Sequence, residues 1–204
     1  MKKLLKTWQL GKLNDIQADM NPDAIFVLSG ILHKKDSYTF KHCQRVSYYC
    51  FLMGRALNIS NQEFSSLLVS ASFHDVGKIK IPNRILKKQG ALSESEFKKI
   101  KIHPQKSVEL LILAGCLDEL VSSVLHHHEH YDGTGYPHGL KGENIPFISR
   151  IISVADSFDA MTSDRCYSKA LTKDEALGRL SDGKDSQFDP YIVNVFLNIV
   201  SRTA

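Results

Sequence analysis

Phe64-Ser65-Ser66-Leu67-Leu68-Val69-Ser70-Ala71-Ser72-Phe73-His74-Asp75 is an apolar helical stripe that ends in two polar groups. Phe64, Leu67, Leu68 and Ala71 stand at i, i+3, i+4 and i+7, the spacing of one helical face and not the alternation of a strand. His74 follows Leu67 by seven residues, and Asp75 follows Leu68 by seven. The apolar face therefore ends in an imidazole and a carboxylate aimed where the apolar residues aim, toward the core or its rim. A buried carboxylate is strongly disfavoured unless it is paired, shifts its pKa or binds a metal.

The same arrangement recurs along the chain. Ile148, Ile151, Ile152 and Ala155 repeat the helical spacing, and Asp156 follows Ile152 by four. His42 precedes Val46, Tyr49 and Met53 by four, seven and eleven. His127 lies seven after Leu120, and His128 seven after Val121. Ile192, Val195, Phe196 and Ile199 form a further stripe. Helix starts are marked by capping boxes at Ser93 with Glu96 and Thr172 with Glu175, and by Asp189 before Pro190. Pro104 divides two helices just after His103. The expected fold is an all-α helical bundle of about seven to nine helices. Four helices that each carry His or Asp inward point to one shared site, which is how metal centres are assembled in bundles.

Not every polar group has such support. His33, His126, His130 and His138 continue no stripe and are expected on the surface or behind the site. Asp159 shares a face with Asp156 and suits a carboxylate that orients a ligand. Tyr131-Asp132-Gly133-Thr134-Gly135-Tyr136-Pro137-His138-Gly139 holds three glycines and a proline, so it is a loop.

Composition bounds the rest. The chain has 204 residues, 43% hydrophobic and 24% charged, which suits one globular domain and excludes a disordered or collagenous chain. A net charge of +4 is too mild for a polymeric nucleic-acid partner. Cys43, Cys50, Cys116 and Cys166 form no C-x-x-C pair and read as reduced buried thiols. Apolar runs such as Ile25 to Leu32 fall well short of the ~20 residues that span a bilayer. The basic N-terminus lacks the apolar run of a signal peptide, so a cytoplasmic location is expected. Residues 1–30 read as a lead-in, with Leu4, Leu5 and Trp8 on one face of a short helix, and residues 31–204 as the functional domain.

Two motifs carry a family resemblance. His74-Asp75-Val76-Gly77-Lys78 is an H-D-x-G-K signature, and His127-His128-Glu129 through Tyr136-Pro137 matches H-H-E-x-x-D-G-x-G-Y-P. Together with His42, Arg45-Val46, His103-Pro104 and the run Arg150 to Ala160, they resemble the HD-GYP family of HD phosphohydrolases, from about Asp36 to Pro190. The resemblance implies a helical HD-type fold, a two- or three-metal centre, and hydrolysis of cyclic di-GMP to linear pGpG or on to GMP. It implies metal ligands at His42, His74, Asp75 and Asp156, and further ligands at His103, His127 and His128, with Asp75 bridging. Lys78 resembles the family lysine near the scissile phosphate. Gly135, Tyr136 and Pro137 resemble the loop that shapes the substrate cleft. Arg165 and Lys169 resemble the residues that hold the outer phosphates and bases. A diguanylate cyclase docking at that loop is a further partner the resemblance allows. Oligomeric state is not legible.

The departures carry expectations of their own. Tyr38 stands where three-metal members are expected to carry a glutamate, so two metals are expected. Arg165-Cys166-Tyr167-Ser168-Lys169 replaces Arg-Pro-Tyr followed by a basic residue, which bears on substrate choice and keeps cyclic GMP-AMP as an alternative substrate. A non-catalytic dinucleotide- or cyclase-binding module is the other alternative. About thirty residues precede the motif region, too few for a receiver or sensor domain. Five His and two Asp with no thiolate favour iron or manganese over a structural zinc. The chemistry expected is attack on phosphorus by a hydroxide bridged between two metals ~3.5–4 Å apart.

Overall fold

The computed structural model describes residues 21–116, 118–164 and 169–201. It runs α1 (Pro22–Lys35), α2 (Ser37–Ala56), α3 (Asn61–Phe73), a 3₁₀ segment (Val76–Lys80), α4 (Asn83–Leu86), α5 (Glu94–Ile100), α6 (His103–Leu113), α7 (Asp118–Leu125), a 3₁₀ turn (Gly142–Asn144), α8 (Phe147–Thr162), α9 (Lys173–Asp182) and α10 (Pro190–Ser201). The all-α reading holds: among the described residues there is no strand, only an isolated bridge between Lys184 and Phe188. Ten α-helices stand among the described residues where seven to nine are expected for the chain. The excess lies in short connections such as α4, a single turn whose four residues are too few to carry a periodic face.

Helix starts fall where the chain offers acceptors. Ser93 with Glu96 and Thr172 with Glu175 close reciprocal capping boxes. Asp189 Oδ1 accepts from Tyr191 N at 2.8 Å at the start of α10. Ser60 with Glu63 makes a third box, ahead of α3. Pro104 sits in the first turn of α6, where its missing N–H costs nothing.

Helix α3 is the axis of the molecule. Its Leu67 and Ala71 join Val46, Cys50 and Met53 of α2, Ile151, Ile152 and Ala155 of α8, and Ile192 and Phe196 of α10 in one core. Its Val69 and Phe73 face the opposite way, into a second core with Val76, Leu111, Leu120 and Val124. Burying a side chain such as Leu67 stabilises the fold by roughly 1.5–3 kcal/mol. Because both flanks of α3 are packed, its C-terminal end at His74-Asp75 is held between the two cores. The stripes of α2, α7 and α8 converge on the same level.

Helix α1 runs through residue 30, and its start is tied to the end of α6 by Asn21 N donating to Ala114 O at 3.2 Å. Leu4, Leu5 and Trp8 lie outside the described residues. Cys43, Cys50 and Cys116 are buried free thiols, and Cys166 lies outside the described residues. No helix among the described residues is long and apolar enough to cross a membrane.

Candidate metal centre

The turn after α3 is fixed against the first turn of α6. Gly77 is the hinge of this contact: a Cβ there would lie 2.1 Å from His103 O and 2.4 Å from Ser107 N. Only a glycine permits that approach. Gly77 N donates to Ser107 Oγ at 2.7 Å, and Ser107 Oγ donates to His74 O at 2.8 Å. One buried hydroxyl thus ties the H-D turn to α6, and His103 Nε2 comes within 3.1 Å of Asp75 Oδ1.

Seven of the expected residues meet in one place. His42, His74 and Asp75 bring their ligand atoms within 4.8 Å of one another, and so do His103, His127 and His128. Asp75 lies between the two groups, with Oδ2 3.6 Å from both His42 Nε2 and His74 Nε2. Asp156 Oδ1 approaches His42 Nε2 at 3.0 Å. Lys78 Nζ pairs with Asp75 Oδ2 at 2.5 Å.

The back of each imidazole decides what its front presents. His74 Nδ1 donates to Ala71 O at 2.8 Å, His103 Nδ1 to Ile100 O at 2.8 Å, and His127 Nδ1 to Val124 O at 2.6 Å. In the neutral ring the proton is then on Nδ1, and Nε2 turns a lone pair into the centre. His103 Nε2 stands 3.3 Å from His127 Nε2 and 3.2 Å from His128 Nε2. With its proton on Nδ1, His103 faces the lone pair of His127, and no hydrogen bond joins them. His74 Nε2 and Asp75 Oδ1 are buried without a hydrogen-bond donor. Lone pairs and carboxylate oxygens gathered in a buried site fit a bound cation, and the mixed N/O set fits a divalent transition metal.

The electrostatics agree with that arrangement. Burial pushes His74 and His127 down, His127 strongly, and holds His128 at about 3. Burial also opposes protonation of His42, but its hydrogen bonds to Asp156 and Asp159 prevail and raise it to about 9. Asp75 and Asp156 stay well below the usual carboxylate range, burial being outweighed by Lys78 and His74 at Asp75 and by His42 at Asp156.

Supporting residues complete the site. Asp159 Oδ2 takes His42 Nδ1 at 2.7 Å, while Arg45 Nε and Nη2 hold Asp159 at 2.6 and 2.9 Å. Asp159 is thus engaged by His42 and Arg45. Glu129 continues no apolar stripe in the sequence, yet it is 2% exposed and organises the loop: Oε1 accepts from His138 N at 2.7 Å and Oε2 from Leu140 N at 3.1 Å. The only signal was its place inside the H-H-E motif. A Cβ at Gly135 would stand 2.2 Å from His130 N, so the loop lies directly on the chain that follows the ligands. Tyr136 stacks on His128 with centroids 4.9 Å apart, and Lys101 Nζ lies 4.8 Å from the Tyr136 centroid. Pro137 follows through a cis peptide bond. Lys169 is exposed beyond α8, and Arg165 lies outside the described residues. His33 is exposed beside Phe40, and His130 Nδ1 lies 3.0 Å from Thr134 Oγ1.

A helical bundle that gathers five imidazoles and two aspartates at one level defines a class of metal-dependent proteins. The HD domain family model matches residues 26–192, and the chain belongs to that family, with the paired motifs of its HD-GYP branch. It is 36% identical over 192 residues to the cyclic di-GMP phosphodiesterase response regulator RpfG of Xanthomonas campestris, covering 92% of this chain and 50% of that protein. It is also 36% identical over 160 residues to the 3'3'-cGAMP-specific phosphodiesterase 3 of Vibrio cholerae, covering 78% of this chain and 35% of that protein. The chain thus spans half or less of the length of these curated relatives. Its fold is similar to that of the HDG"Y"P protein Bd1817 of Bdellovibrio bacteriovorus, with a TM-score of 0.67 at 19% identity over 81% of this chain and 53% of that one.

Proposed function

We propose that this chain is a metal-dependent phosphodiesterase domain that opens cyclic di-GMP to linear pGpG, with slower cleavage to GMP. The observation that carries the reading is the ring of inward Nε2 atoms around Asp75, with His74 Nε2 and Asp75 Oδ1 lacking any donor. His42, His74, Asp75 and Asp156 would hold one metal, and His103, His127, His128 and the other oxygen of Asp75 a second. Tyr38, 39% exposed and ending in a neutral phenol, supports two metals rather than three. The donor set suits iron or manganese. Bound there, the metals supply Lewis-acid activation of water and of the phosphodiester.

The chain's own residues do the remaining work. Asp159 holds the His42 proton on Nδ1 and so keeps Nε2 directed at the centre. Lys78, already 2.5 Å from Asp75, is a compact cation placed to offset charge developing on the phosphate. The stack of Tyr136 on His128 puts an aromatic ring beside the cluster. Gly135, Tyr136 and Pro137 would shape the substrate cleft there, while Lys169 and Arg165 would meet the outer phosphates and bases. A cytoplasmic place follows from a cytoplasmic substrate.

Cyclic GMP-AMP is the second reading, favoured by the altered run from Arg165 to Lys169 and by the likeness to a cGAMP-specific relative. Side-by-side turnover of the two dinucleotides separates them, with faster hydrolysis of cyclic di-GMP expected. A folded His74→Ala/Asp75→Ala variant that loses metal yet keeps full hydrolysis overturns both.

A further inference from the structure

A third group of ligand-type side chains lies behind the GYP loop, apart from the seven residues of the centre. His126, at the end of α7, Glu129 and His138 bring one ligand atom each within 4.8 Å of one another. His126 Nδ1 donates to Ser122 O at 2.9 Å, so in the neutral ring Nε2 carries the lone pair. That Nε2 stands 2.9 Å from His138 Nδ1. As at the centre, a back nitrogen is fixed by a carbonyl of the preceding turn; here the front nitrogen of His126 accepts a hydrogen bond from His138 Nδ1, which a metal would replace.

Glu129 supplies an independent sign. It is 2% exposed, its hydrogen-bond partners are the backbone amides of His138 and Leu140, and no Lys or Arg ion pair reaches it among the described residues. Those two bonds hold the carboxylate in place, and no side-chain cation among the described residues balances its charge. The two amide contacts leave further lone pairs on its oxygens, since an ionised carboxylate offers about four.

We propose that His126, Glu129 and His138 form a second, peripheral site for one divalent transition metal of the zinc class, with solvent completing its coordination. Two imidazole nitrogens and one carboxylate oxygen are a known three-residue zinc set, and they do not suit magnesium or calcium. Tetrahedral ligands at Zn–N of about 2.0–2.1 Å stand about 3.3 Å apart. The His126–His138 pair therefore needs to open by only about 0.4 Å from its 2.9 Å, and exposed His138 has room to do so. The ion would join the end of α7, one residue before His127, to the residue just past Tyr136-Pro137. It would staple shut the loop that carries Tyr136 against His128. The site does not depend on what the main centre hydrolyses.

The test uses the full chain, dialysed to equilibrium against buffered Zn²⁺, with zinc counted per chain in wild type, His138→Asn and His126→Asn. Each variant is expected to hold one fewer zinc than wild type at a free concentration that saturates wild type, with at least tenfold weaker binding of the lost ion. Crystals of the zinc-loaded protein are expected to give an anomalous peak between the three side chains. Equal zinc counts in all three proteins, or anomalous peaks confined to the main centre, overturn the proposal. His138 is exposed, so its variant folds even if His126→Asn does not, and metal retained at the main centre reports on that site separately.

Discussion

Substituting Gly77 by alanine tests whether the site is assembled by the contact between the H-D turn and α6. The new Cβ would stand 2.1 Å from His103 O and 2.4 Å from Ser107 N, both backbone atoms of one helix. Opening the first contact to the 3.4 Å of ordinary van der Waals distance moves the start of α6 by about 1.3 Å. The motion also stretches the Gly77 N to Ser107 Oγ bond, now 2.7 Å. Overpacking of this kind costs about 1–3 kcal/mol. For a chain of this length that lowers Tm by about 2–12 °C. The larger effect falls on the site, because His103 travels with α6 and sits 3.1 Å from Asp75. A misplacement of about 1 Å costs about 10²-fold in rate. Thermal unfolding, metal content and dinucleotide turnover are read on one preparation. Gly178→Ala is the control: it lies within α9 with nothing within 4 Å of an added Cβ, so about 0.5–1 kcal/mol of stabilisation is expected. A Gly77→Ala protein with wild-type Tm, metal content and turnover would show that this contact does not assemble the site.

Three further outcomes follow from the same geometry. Asp159→Asn weakens the hold on His42 Nδ1, and metal affinity measured by chelator competition should fall about 10–100-fold, while an unchanged affinity removes Asp159 from the support of the centre. In the metal-free protein, His42 is raised to about 9 and its contribution to stability, complete below 6.5, is lost as pH rises through 9; His128 is lowered to about 3 and its contribution, present above 6.5, is lost as pH falls toward 3. Chelator-treated protein should therefore be most stable near pH 6.5, and calorimetry in buffers of different ionisation enthalpy should record about one proton released on metal binding near pH 7.5, since His42 must deprotonate to coordinate; no release contradicts the raised His42. Lys78→Met removes the cation beside Asp75 and should cut turnover about 10²–10³-fold with the metal content kept, whereas unchanged turnover excludes Lys78 from the reaction.

Much of this site is legible in the sequence because helical spacing carries side-chain direction. His42, His74, Asp75, His127, His128 and Asp156 all continue apolar stripes, and those behind His42, His74, His127 and Asp156 pack in a core. His103 is legible only through the family resemblance, because its helix begins at the ligand itself and no stripe precedes it. The roles of Ser107 and Gly77 depend on a contact between segments thirty residues apart, which periodicity does not encode. Glu129 and the pair His126–His138 escaped for a similar reason. His138 reaches His126 only because an irregular, glycine-rich loop returns on itself, and such a path has no repeating signal. Short helices such as Asn83–Leu86 are invisible to a pattern that needs two turns.

Anaerobic turnover of cyclic di-GMP shows whether the cluster of five histidines and two aspartates is a working phosphodiesterase centre. The protein is loaded with ferrous iron or manganese, the products are separated by chromatography, and bound metal is counted on the same sample. The expected product is pGpG, followed more slowly by GMP, with about two metals per chain at the main centre. Folded protein carrying its metals that leaves cyclic di-GMP intact contradicts that function.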